Sequence, residues 1–292
     1  MKKVYAEIIA GLIPHKMTRN QWRGILRFGL KNALKIKKEI KNNKTVPQHY
    51  LTVETLVKNE ASYFEEWLDY YIALGVEKFY IYDNGSTDNT KEVLQPYIDK
   101  GVVEYIYFPG TKVQIAAYDD CLKRHRYDTR WLAFIDVDEF IVLSDNQTLP
   151  QFLKNYEGRP AVEINWLCYG SSGQKTRQPG GVMERFKRHS QPTHILNRHV
   201  KSIINPREIF CMIGAHEAAR IRGKAVDGNG NEIKIPWRDR TPVHDKSRIN
   251  HYAVKSWEEF VEKKGKGRIA GRVKMLQDDY FMRFDLNDIE DK

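Results

Sequence analysis

The chain has 292 residues, enough for one large α/β domain or two small ones. It carries 48 Lys and Arg against 38 Asp and Glu, but residues 1–44 hold 12 of these bases and only two of the acids, so this segment alone accounts for the net charge of +10. The remaining body is neutral. This distribution argues against nucleic acid as a partner and favours attraction of a basic arm to anionic lipid head groups.

The cysteine pattern and the hydropathy of the chain indicate the cellular compartment in which we expect the protein. Cys121, Cys168 and Cys211 form no C-x-x-C pair, so we expect neither a disulfide framework nor a zinc site. Residues 4–14 resemble a short signal segment but include Glu7 and no small-x-small cleavage site, so secretion is not expected. No apolar run reaches the roughly 18 residues that span a bilayer. We expect a cytoplasmic protein, peripheral on the cytoplasmic face of the cell membrane.

Residues 18–44 are predicted to form a basic amphipathic helix. Thr18 and Gln21 have the spacing of a capping box, and apolar residues then recur at helical intervals between Arg and Lys residues. A helix of this kind is typical of peripheral attachment to an anionic membrane. The alternative is an ordinary helix that packs on its own domain.

From residue 50 the pattern alternates between strands and helices. Strands are predicted at 51–57, 78–82 and 102–108, with helices at 62–74 and 89–100 between them. This order predicts a parallel open sheet that binds ligands at the carboxyl ends of its strands. Asp83 stands at one such end.

Residues 131–143, WLAFIDVDEFIVL, place three carboxylates between two apolar runs. Such a run is typical of a buried strand, in which Asp136 and Asp138 point to one side and Glu139 to the other. Buried carboxylates must be paired, protonated or bound to a cation, and two of them suit Mg²⁺ or Mn²⁺ together with phosphate oxygens. The alternative is a strand that ends in a solvated acidic turn.

The later part of the chain is predicted to contain further elements and a terminal tail. Residues 174–200 are basic and poor in apolar runs, which favours a mobile loop that closes over substrate. The tail from residue 285 is acidic and is expected to fray. The predicted elements are a helix at 148–156, a strand at 161–167, a hairpin at 221–239 and a helix at 257–264.

Several segments in order resemble a known family. The segments are VETLVKNEASYFEEWLDYYIALGVEKFYIYDNGSTDNT, WLAFIDVDEF, WLCYGSSG, VKSIINPREI, AHEA and INHYAVKSWEEFVEKK. They resemble glycosyltransferases of the GT-A fold, and most closely glycosyltransferase family 92, the DUF23 group, with its bacterial relatives. The resemblance implies a Rossmann-like α/β fold with a mostly parallel open sheet and helices on both faces.

The resulting domain organisation has three parts. Residues 1–47 are the basic arm, 48–270 the glycosyltransferase domain and 271–292 a tail. Within the domain, 48–145 is the predicted nucleotide-binding half and 146–270 the acceptor half.

The resemblance also implies a donor site and a metal site. Asp83 matches an acid that contacts the nucleobase, with Asn59, Glu60 and Asp88 nearby, although for Asp88 a plain helix cap is favoured. Asp136 and Asp138 match the D-x-D motif that holds the metal and the donor, and Lys201 is a candidate to meet phosphate. His251 matches a histidine that completes the metal shell, or is a core histidine.

The implied chemistry needs a general base, since most such enzymes invert by direct displacement. We expect Glu217 in this role, with Asp245 as the alternative and His216 as a residue that orients acceptor or base. Trp166 and Tyr169 either stack on a sugar or belong to the core.

The predicted function is a metal-dependent transfer of sugar from a nucleotide sugar, a UDP-sugar by resemblance, to a hydroxyl of a surface glycan or glycolipid. The first alternative is a HAD-like phosphohydrolase with Asp136 as nucleophile and Asp278 and Asp279 as metal ligands. The second is a non-catalytic module that docks on membranes.

Overall fold

The structure is a computed structural model that describes residues 2–12, 16–235, 237–266 and 278–291. Its helices are α1 Lys2–Gly11, α2 Lys16–Phe28, α3 Leu30–Asn42, α4 Ala61–Ala73, α5 Thr90–Asp99, α6 Gln114–His125, α7 Leu149–Lys154, α8 Val182–Arg185, α9 Trp257–Lys266 and α10 Asp278–Phe284. Its strands are β1 His49–Val57, β2 Lys78–Asp83, β3 Val103–Tyr107, β4 Thr129–Phe134, β5 Glu139–Leu143, β6 Ala161–Cys168, β7 Arg188–His189, β8 Val200–Ile204, β9 Ile209–Gly214, β10 Glu217–Arg220, β11 Val226–Asp227, β12 Ser247–His251 and β13 Ile289–Glu290. Short 3-10 helices occupy Ile195–Arg198, Pro206–Glu208 and Trp237–Asp239.

A nine-stranded mixed sheet organises the chain. Its order is β3-β2-β1-β4-β8-β6-β12-β5, with β11 beside β6. The strands from β3 to β4 are parallel, as are β6 with β12 and β11, whereas β8 and β5 pair antiparallel to their neighbours. The predicted α/β class with a mostly parallel open sheet is therefore confirmed. Because β5 pairs with β12, the predicted nucleotide-binding and acceptor halves share one sheet.

The strand order fixes where a ligand site can form. The chain runs from β1 outward to β2 and β3, and then α6 returns it to the opposite side of β1, where β4 lies. A reversal of this kind leaves a crevice between the carboxyl ends of the two strands that flank it, here β1 and β4. We call this place the switch-point crevice.

Apolar side chains cover both faces of the sheet. Trp67 and Tyr71 of α4 pack with Val53 on one face, while Tyr118 of α6 packs with Phe134 on the other. Helices on both faces explain why β1 and β4 are buried almost throughout, as parallel strands of α/β proteins usually are.

The predicted continuous strand over residues 131–143 is wrong. The chain leaves β4 after Phe134, forms a turn at Val137 and Asp138, and enters β5 at Glu139. The two apolar runs therefore belong to different strands: β4 is central in the sheet, and β5 lies at an edge, beyond β8, β6 and β12. The alternating geometry of an extended strand does not apply to Asp136, Asp138 and Glu139.

The predicted single helix over residues 18–44 is divided in two at Gly29. This residue has a φ of 87°, a left-handed conformation that favours glycine. The first of the two helices, α2, begins at Lys16, so Thr18 is not its cap, and the side chain of Thr18 lies outside the described residues.

The arm packs on its own domain. Gly24 of α2 lies so close to Ala219 that a Cβ at Gly24 would stand 2.6 Å from the Cβ of Ala219. Ala33 of α3 joins a buried cluster with Phe210 and Ala219. The apolar side of α2 and the inner side of α3 thus pack against the rest of the protein. This agrees with the alternative prediction of an ordinary helix that packs on its own domain.

Two segments expected to be irregular are ordered. Residues 174–200 contain α8, β7 and a 3-10 helix, and Arg185 forms a buried ion pair with Glu259 at 2.8 Å. The tail is not frayed where it is described: β13 pairs with β7, and Phe284 is buried. Residues 267–277, part of the predicted domain end and tail, lie outside the described residues.

Two smaller expectations concern cysteines and membrane spans. Cys121, Cys168 and Cys211 are free and buried. Within the described ranges, no helix has the length and apolar character needed to cross a bilayer.

Candidate active site

The switch-point crevice collects several of the predicted site residues. Asn59 and Glu60 follow β1, Asp83 ends β2, and Asp136 follows β4. The three strands are neighbours and parallel, so their carboxyl ends meet at one edge of the sheet. The sequence-level expectation that these residues lie together therefore agrees with the topology.

Asp83 organises the loop after β2. Its Oδ1 accepts hydrogen bonds from the backbone N–H and hydroxyl of Ser86 at 2.8 and 2.7 Å, and its Oδ2 accepts one from the hydroxyl of Tyr105 at 2.5 Å. The residue is buried. In this structure its carboxylate holds the loop, and contact with a nucleobase stays a prediction.

Asn59 and Asp88 fasten this loop to β1 and α4. Asn59 has a φ of 57°, and its Oδ1 accepts a hydrogen bond from the backbone N–H of Thr87 at 2.6 Å. Asp88 accepts hydrogen bonds from the backbone N–H groups of Ala61 at 3.2 Å and Thr90 at 3.1 Å, at the starts of α4 and α5. Asp88 therefore serves the helix N-termini, as its alternative role predicted.

Lys201 of β8 holds one side of the acidic turn. Its Nζ lies 2.7 Å from Oδ2 of Asp136 and 3.4 Å from Oε2 of Glu139, and only 1 % of its side chain is exposed. Burial acts to lower the pKa of Lys201, but Asp136 and Glu139 raise it well above its usual range, so the ammonium stays charged. Lys201 is thus directed at carboxylates, and the prediction that it meets phosphate is not supported.

Glu139 belongs to the same group instead of facing away from it. Its side chain is fully buried, and its Oε2 also accepts a hydrogen bond from the backbone N–H of Asp136 at 3.1 Å. Burial raises the pKa of Glu139 well above its usual range, and the charges of Asp136 and Asp138 add to this effect. We call Lys201, Asp136 and Glu139 the sealed group.

Asp138 faces a second lysine across the turn. Nζ of Lys263, on α9, lies 2.6 Å from Oδ2 of Asp138, and Nε2 of His251 lies 3.9 Å from Oδ1. Burial would raise the pKa of Asp138, but Lys263, His251 and Lys255 together bring it below its usual range, so the carboxylate is ionised. The Lys263 side chain is 28 % exposed. We call Asp138, Lys263 and His251 the open group.

Lys255 brings a further cation to the open group. Its backbone has a φ of 57°, and its Nζ lies 4.1 Å from the ring centroid of Tyr63. Burial and the charge of Lys263 lower its pKa. Lys255 and Lys263 both stand in INHYAVKSWEEFVEKK, but the spacing within that segment did not show that its lysines face Asp138.

The predicted three-ligand metal site is not formed as expected. Across the described ranges, no three His, Cys, Asp or Glu side chains converge on a metal position. The reason is the turn at residues 137–138, which directs Asp136 to Lys201 and Asp138 to His251. Oδ1 of Asp138 and Nε2 of His251, 3.9 Å apart, nevertheless fit one divalent ion, whose bonds to such ligands are about 2.0–2.2 Å long.

The protonation state of His251 suits this use. Burial lowers its pKa to about 3 despite the neighbouring Asp138, so the imidazole is neutral at pH 7. Neutral imidazole is the form that binds metals. Asp138 and His251 are therefore the residues of this site that fit a divalent cation.

A cluster of rings extends from His251 to His216. Trp166 lies between them, with ring centroids 4.0 Å from His251 and 5.3 Å from His216. Trp166 is 7 % exposed, and Tyr169 is buried against Tyr252, so both are core aromatics rather than sugar platforms.

His216 has a defined tautomer. Its Nδ1 lies 2.7 Å from the carbonyl oxygen of Val200, and because a carbonyl only accepts, Nδ1 carries the proton and Nε2 keeps its lone pair. Burial and the charge of Lys201 lower the pKa of His216 to about 3. Trp237, which we did not predict, lies 5.2 Å from this ring and is half-buried.

The other two predicted catalytic residues serve structural contacts. Glu217 accepts a hydrogen bond from Asn20 at 2.7 Å and pairs with Arg23 at 2.9 Å, so it joins the arm to β10. Asp245 is exposed and accepts a hydrogen bond from Asn229 at 2.7 Å, next to the turn after β11. These contacts argue against Glu217 or Asp245 as the general base.

Sequence reasoning also missed Glu54 of β1. It is fully buried, and neither oxygen accepts a hydrogen bond from any residue that the structure describes. Burial raises its pKa well above the usual range, and the charge of Asp136 adds to this. A neutral carboxyl group thus lies beside the sealed group. The signal in the sequence was an acidic residue type within the otherwise uncharged run of residues 50–57.

The geometry defines an α/β protein whose candidate ligand site combines carboxylates, lysines and a neutral histidine at the carboxyl ends of parallel strands. The chain belongs to glycosyltransferase family 92, whose model matches residues 49–280. This confirms the family predicted from the motifs. The family also disfavours the phosphohydrolase alternative. Asp278 and Asp279, its expected metal ligands, are exposed at the start of α10, and Asp278 pairs with Lys264 at 2.9 Å.

Relatives in plants share part of this chain. A glycosyltransferase family 92 protein of Oryza sativa subsp. japonica is 31 % identical over 239 residues, which is 79 % of this chain and 38 % of that protein. A galactan beta-1,4-galactosyltransferase of Arabidopsis thaliana is 28 % identical over 58 % of this chain and 35 % of its own length. The chain thus spans less than two fifths of the length of these curated relatives.

Solved structures of bacterial and archaeal proteins show a weaker likeness. TarS of S. aureus in complex with UDP covers 54 % of this chain and 47 % of its own, with 17 % identity and a TM-score of 0.37. The mannosyltransferase PcManGT of Pyrobaculum calidifontis, in complex with GDP-Man and Mn²⁺, covers 55 % and 47 %, with 18 % identity and a TM-score of 0.33.

Proposed function

We propose that this chain transfers a sugar from a nucleoside diphosphate sugar, a UDP-sugar, to a hydroxyl group of a glycan or glycolipid at the cell surface, with inversion. The observation that carries the proposal is the acidic turn of Asp136 and Asp138 in the switch-point crevice of a family 92 chain. Lys201 contacts Asp136 on one side of this turn, and Lys263 contacts Asp138 on the other. The galactan galactosyltransferases among the relatives support a glycan acceptor.

The donor would bind with its diphosphate at the open group. A nucleoside diphosphate leaves with negative charge, and groups that stabilise this charge in a dry site are usually the largest contribution to such a reaction. Lys263 and Lys255 supply two ammonium groups on this side of the turn. Asp136, whose side chain is 36 % exposed, stays available to the ribose because Lys201 and Glu139 fix its orientation.

Asp138 and His251 would hold Mn²⁺ or Mg²⁺ at the diphosphate. The cation would neutralise the charge that develops on the leaving diphosphate. The chain contributes one carboxylate oxygen and one imidazole nitrogen, which leaves coordination positions for water and phosphate oxygens.

His216 would orient the acceptor. Its Nε2 lone pair accepts a hydrogen bond from a hydroxyl group, while its pKa of about 3 makes it a weak base at neutral pH. Trp237, half-buried beside it, offers an aromatic surface for a sugar ring. We therefore assign His216 to positioning and not to proton abstraction.

The test is binding and turnover of a panel of nucleotide sugars with Mn²⁺ present. We expect one UDP-sugar to bind with a Kd that rises at least about tenfold when Mn²⁺ is removed, and Asp138→Asn to abolish this metal dependence. Asp145→Asn, an exposed acid in the loop after β5, is the matched control and should behave as the wild type.

Two outcomes would contradict the proposal. One is that no nucleotide sugar binds or reacts. The other is release of phosphate from small phosphomonoesters without a sugar acceptor, which would restore the phosphohydrolase. A non-catalytic module predicts instead that no nucleotide sugar turns over and that Asp138→Asn leaves membrane docking unchanged.

A further inference from the structure

Helix α1 exposes its large apolar side chains. Tyr5, Ile8, Ile9 and Leu12 are 61, 58, 49 and 79 % exposed, and their spacing places them on one side of the helix. Ala10, in contrast, is fully buried. A helix on the surface of a globular protein normally turns its large apolar residues inward, so α1 shows the reverse of the usual arrangement.

The outer side of α3 repeats this pattern and adds positive charge. Leu30 and Leu34 are 62 and 58 % exposed, whereas the small Ala33 is buried in the cluster under the arm. Lys31, Lys35 and Lys38 are exposed along the same helix. Large apolar side chains interleaved with lysines favour a boundary between an apolar phase and an anionic surface.

We propose that α1 and the outer side of α3 form a docking surface for an anionic lipid bilayer. Residues 1–44 carry a net charge of +10, from 12 bases and two acids, so charge complementarity selects an anionic partner. A second copy of the chain would bring the same charge to the contact. Trp22, 42 % exposed on α2, is of a residue type enriched at lipid–water interfaces.

This surface keeps Trp22, Leu30 and Leu34 of the apolar side that helical periodicity predicted, and it adds α1. The apolar side of α2 is occupied by Ala219 and Phe210, and Arg23 pairs with Glu217. Helix α2 therefore joins the docking surface to the catalytic domain. Deleting residues 1–44 would uncover the buried cluster beneath α2 and α3, so substitutions in α1 give a cleaner test than truncation.

The experiment compares flotation of the full chain with vesicles of equal parts phosphatidylglycerol and phosphatidylcholine and with vesicles of phosphatidylcholine alone. We expect binding to the anionic vesicles only, and weakening by about 0.5 M NaCl. The double variant Ile8→Glu/Leu12→Glu should bind at least about tenfold more weakly, because it loses buried apolar area and gains negative charge. Its melting temperature should match that of the wild type.

Met282→Glu is the control, since Met282 is 71 % exposed on α10, outside the arm. It should bind vesicles as the wild type does. The proposal is overturned if the wild type does not float with anionic vesicles or if the double variant floats equally well. It is also overturned if the wild type is a dimer, the double variant is a monomer and neither binds vesicles. Nucleotide-sugar turnover with a soluble acceptor, measured in parallel, is independent of these outcomes.

Discussion

The two lysine–carboxylate contacts of the acidic turn differ in their surroundings. In the sealed group, Lys201 is 1 % exposed and contacts the side chains of Asp136 and Glu139, and Glu139 also accepts a hydrogen bond from the backbone N–H of Asp136. In the open group, Lys263 of α9 is 28 % exposed and contacts one carboxylate, that of Asp138, and the carbonyl oxygen of Ala253 at 3.2 Å. Asp136 and Asp138 therefore have different tasks: Lys201 and Glu139 fix Asp136 and the turn, which would present Asp136 to the ribose, whereas Asp138 and Lys263 would meet the diphosphate.

The largest effect is expected for Lys201→Met. This change leaves Asp136 without its cation beside the buried Glu139; because Asp136 is partly exposed, we expect a cost near the lower end of the roughly 3 to 5 kcal/mol for breaking a buried pair. We expect the melting temperature to fall by roughly 10 °C. The double variant Lys201→Met/Asp136→Asn should recover part of this loss, because it also removes the charge left without a partner. A melting temperature within about 2 °C of the wild type would refute the structural role of the sealed group.

Lys263→Gln should affect activity and leave the fold intact. The contact with Asp138 is partly buried, and Gln can still donate a hydrogen bond there, so we expect a stability loss of only about 1 to 2 kcal/mol. Loss of a cation at the leaving group, in contrast, lowers kcat/KM about 100-fold. Lys264→Gln is the matched control, because the neighbouring Lys264 pairs with Asp278 outside the crevice. Equal losses in both variants, measured by release of nucleoside diphosphate, would remove Lys263 from the site.

The pH dependence of stability tests His251 of the open group and His216, which lies on the other side of Trp166. His216 and His251 have pKa values of about 3 in the folded chain, below the value near 6.5 of an unfolded histidine. The unfolded chain therefore takes up protons first as the pH falls. This contribution to stability is fully present above about pH 6.5 and is lost toward pH 3, at up to about 1.4 kcal/mol per pH unit for each histidine. In urea unfolding at pH 7 and 5.5, His216→Gln should show a flatter dependence than the wild type. An identical slope would contradict the burial of a neutral His216.

The smallest effect is expected for Glu54→Gln. Because burial keeps Glu54 neutral beside the sealed group, an amide of the same shape should change the free energy of unfolding by less than about 1 kcal/mol and kcat/KM by less than about threefold. A large loss of activity with an unchanged melting temperature would show instead that an ionisable Glu54 takes part in the reaction.

Local patterns predicted the elements that depend on neighbours in sequence. The helix expected at 62–74 is α4, and the strand expected at 78–82 is β2, because their caps and apolar spacing are local properties. The strand expected over 131–143 failed, because two apolar runs with a short turn between them have the same composition as one buried strand. The resemblance supplied Asp138 and His251, but no spacing showed that Lys263 and Lys255 lie beside Asp138.

The sequence alone determined the family, the α/β class, the basic arm and the acids of the crevice, because these follow from local order and composition. Only the tertiary structure decided which lysine binds which acid, that Glu139 joins the sealed group, that Glu217 fastens the arm, and which side of the arm is exposed. Those pairings join residues 62 to 197 positions apart, and the geometry of contacts between distant elements is set by packing of the whole sheet and its helices.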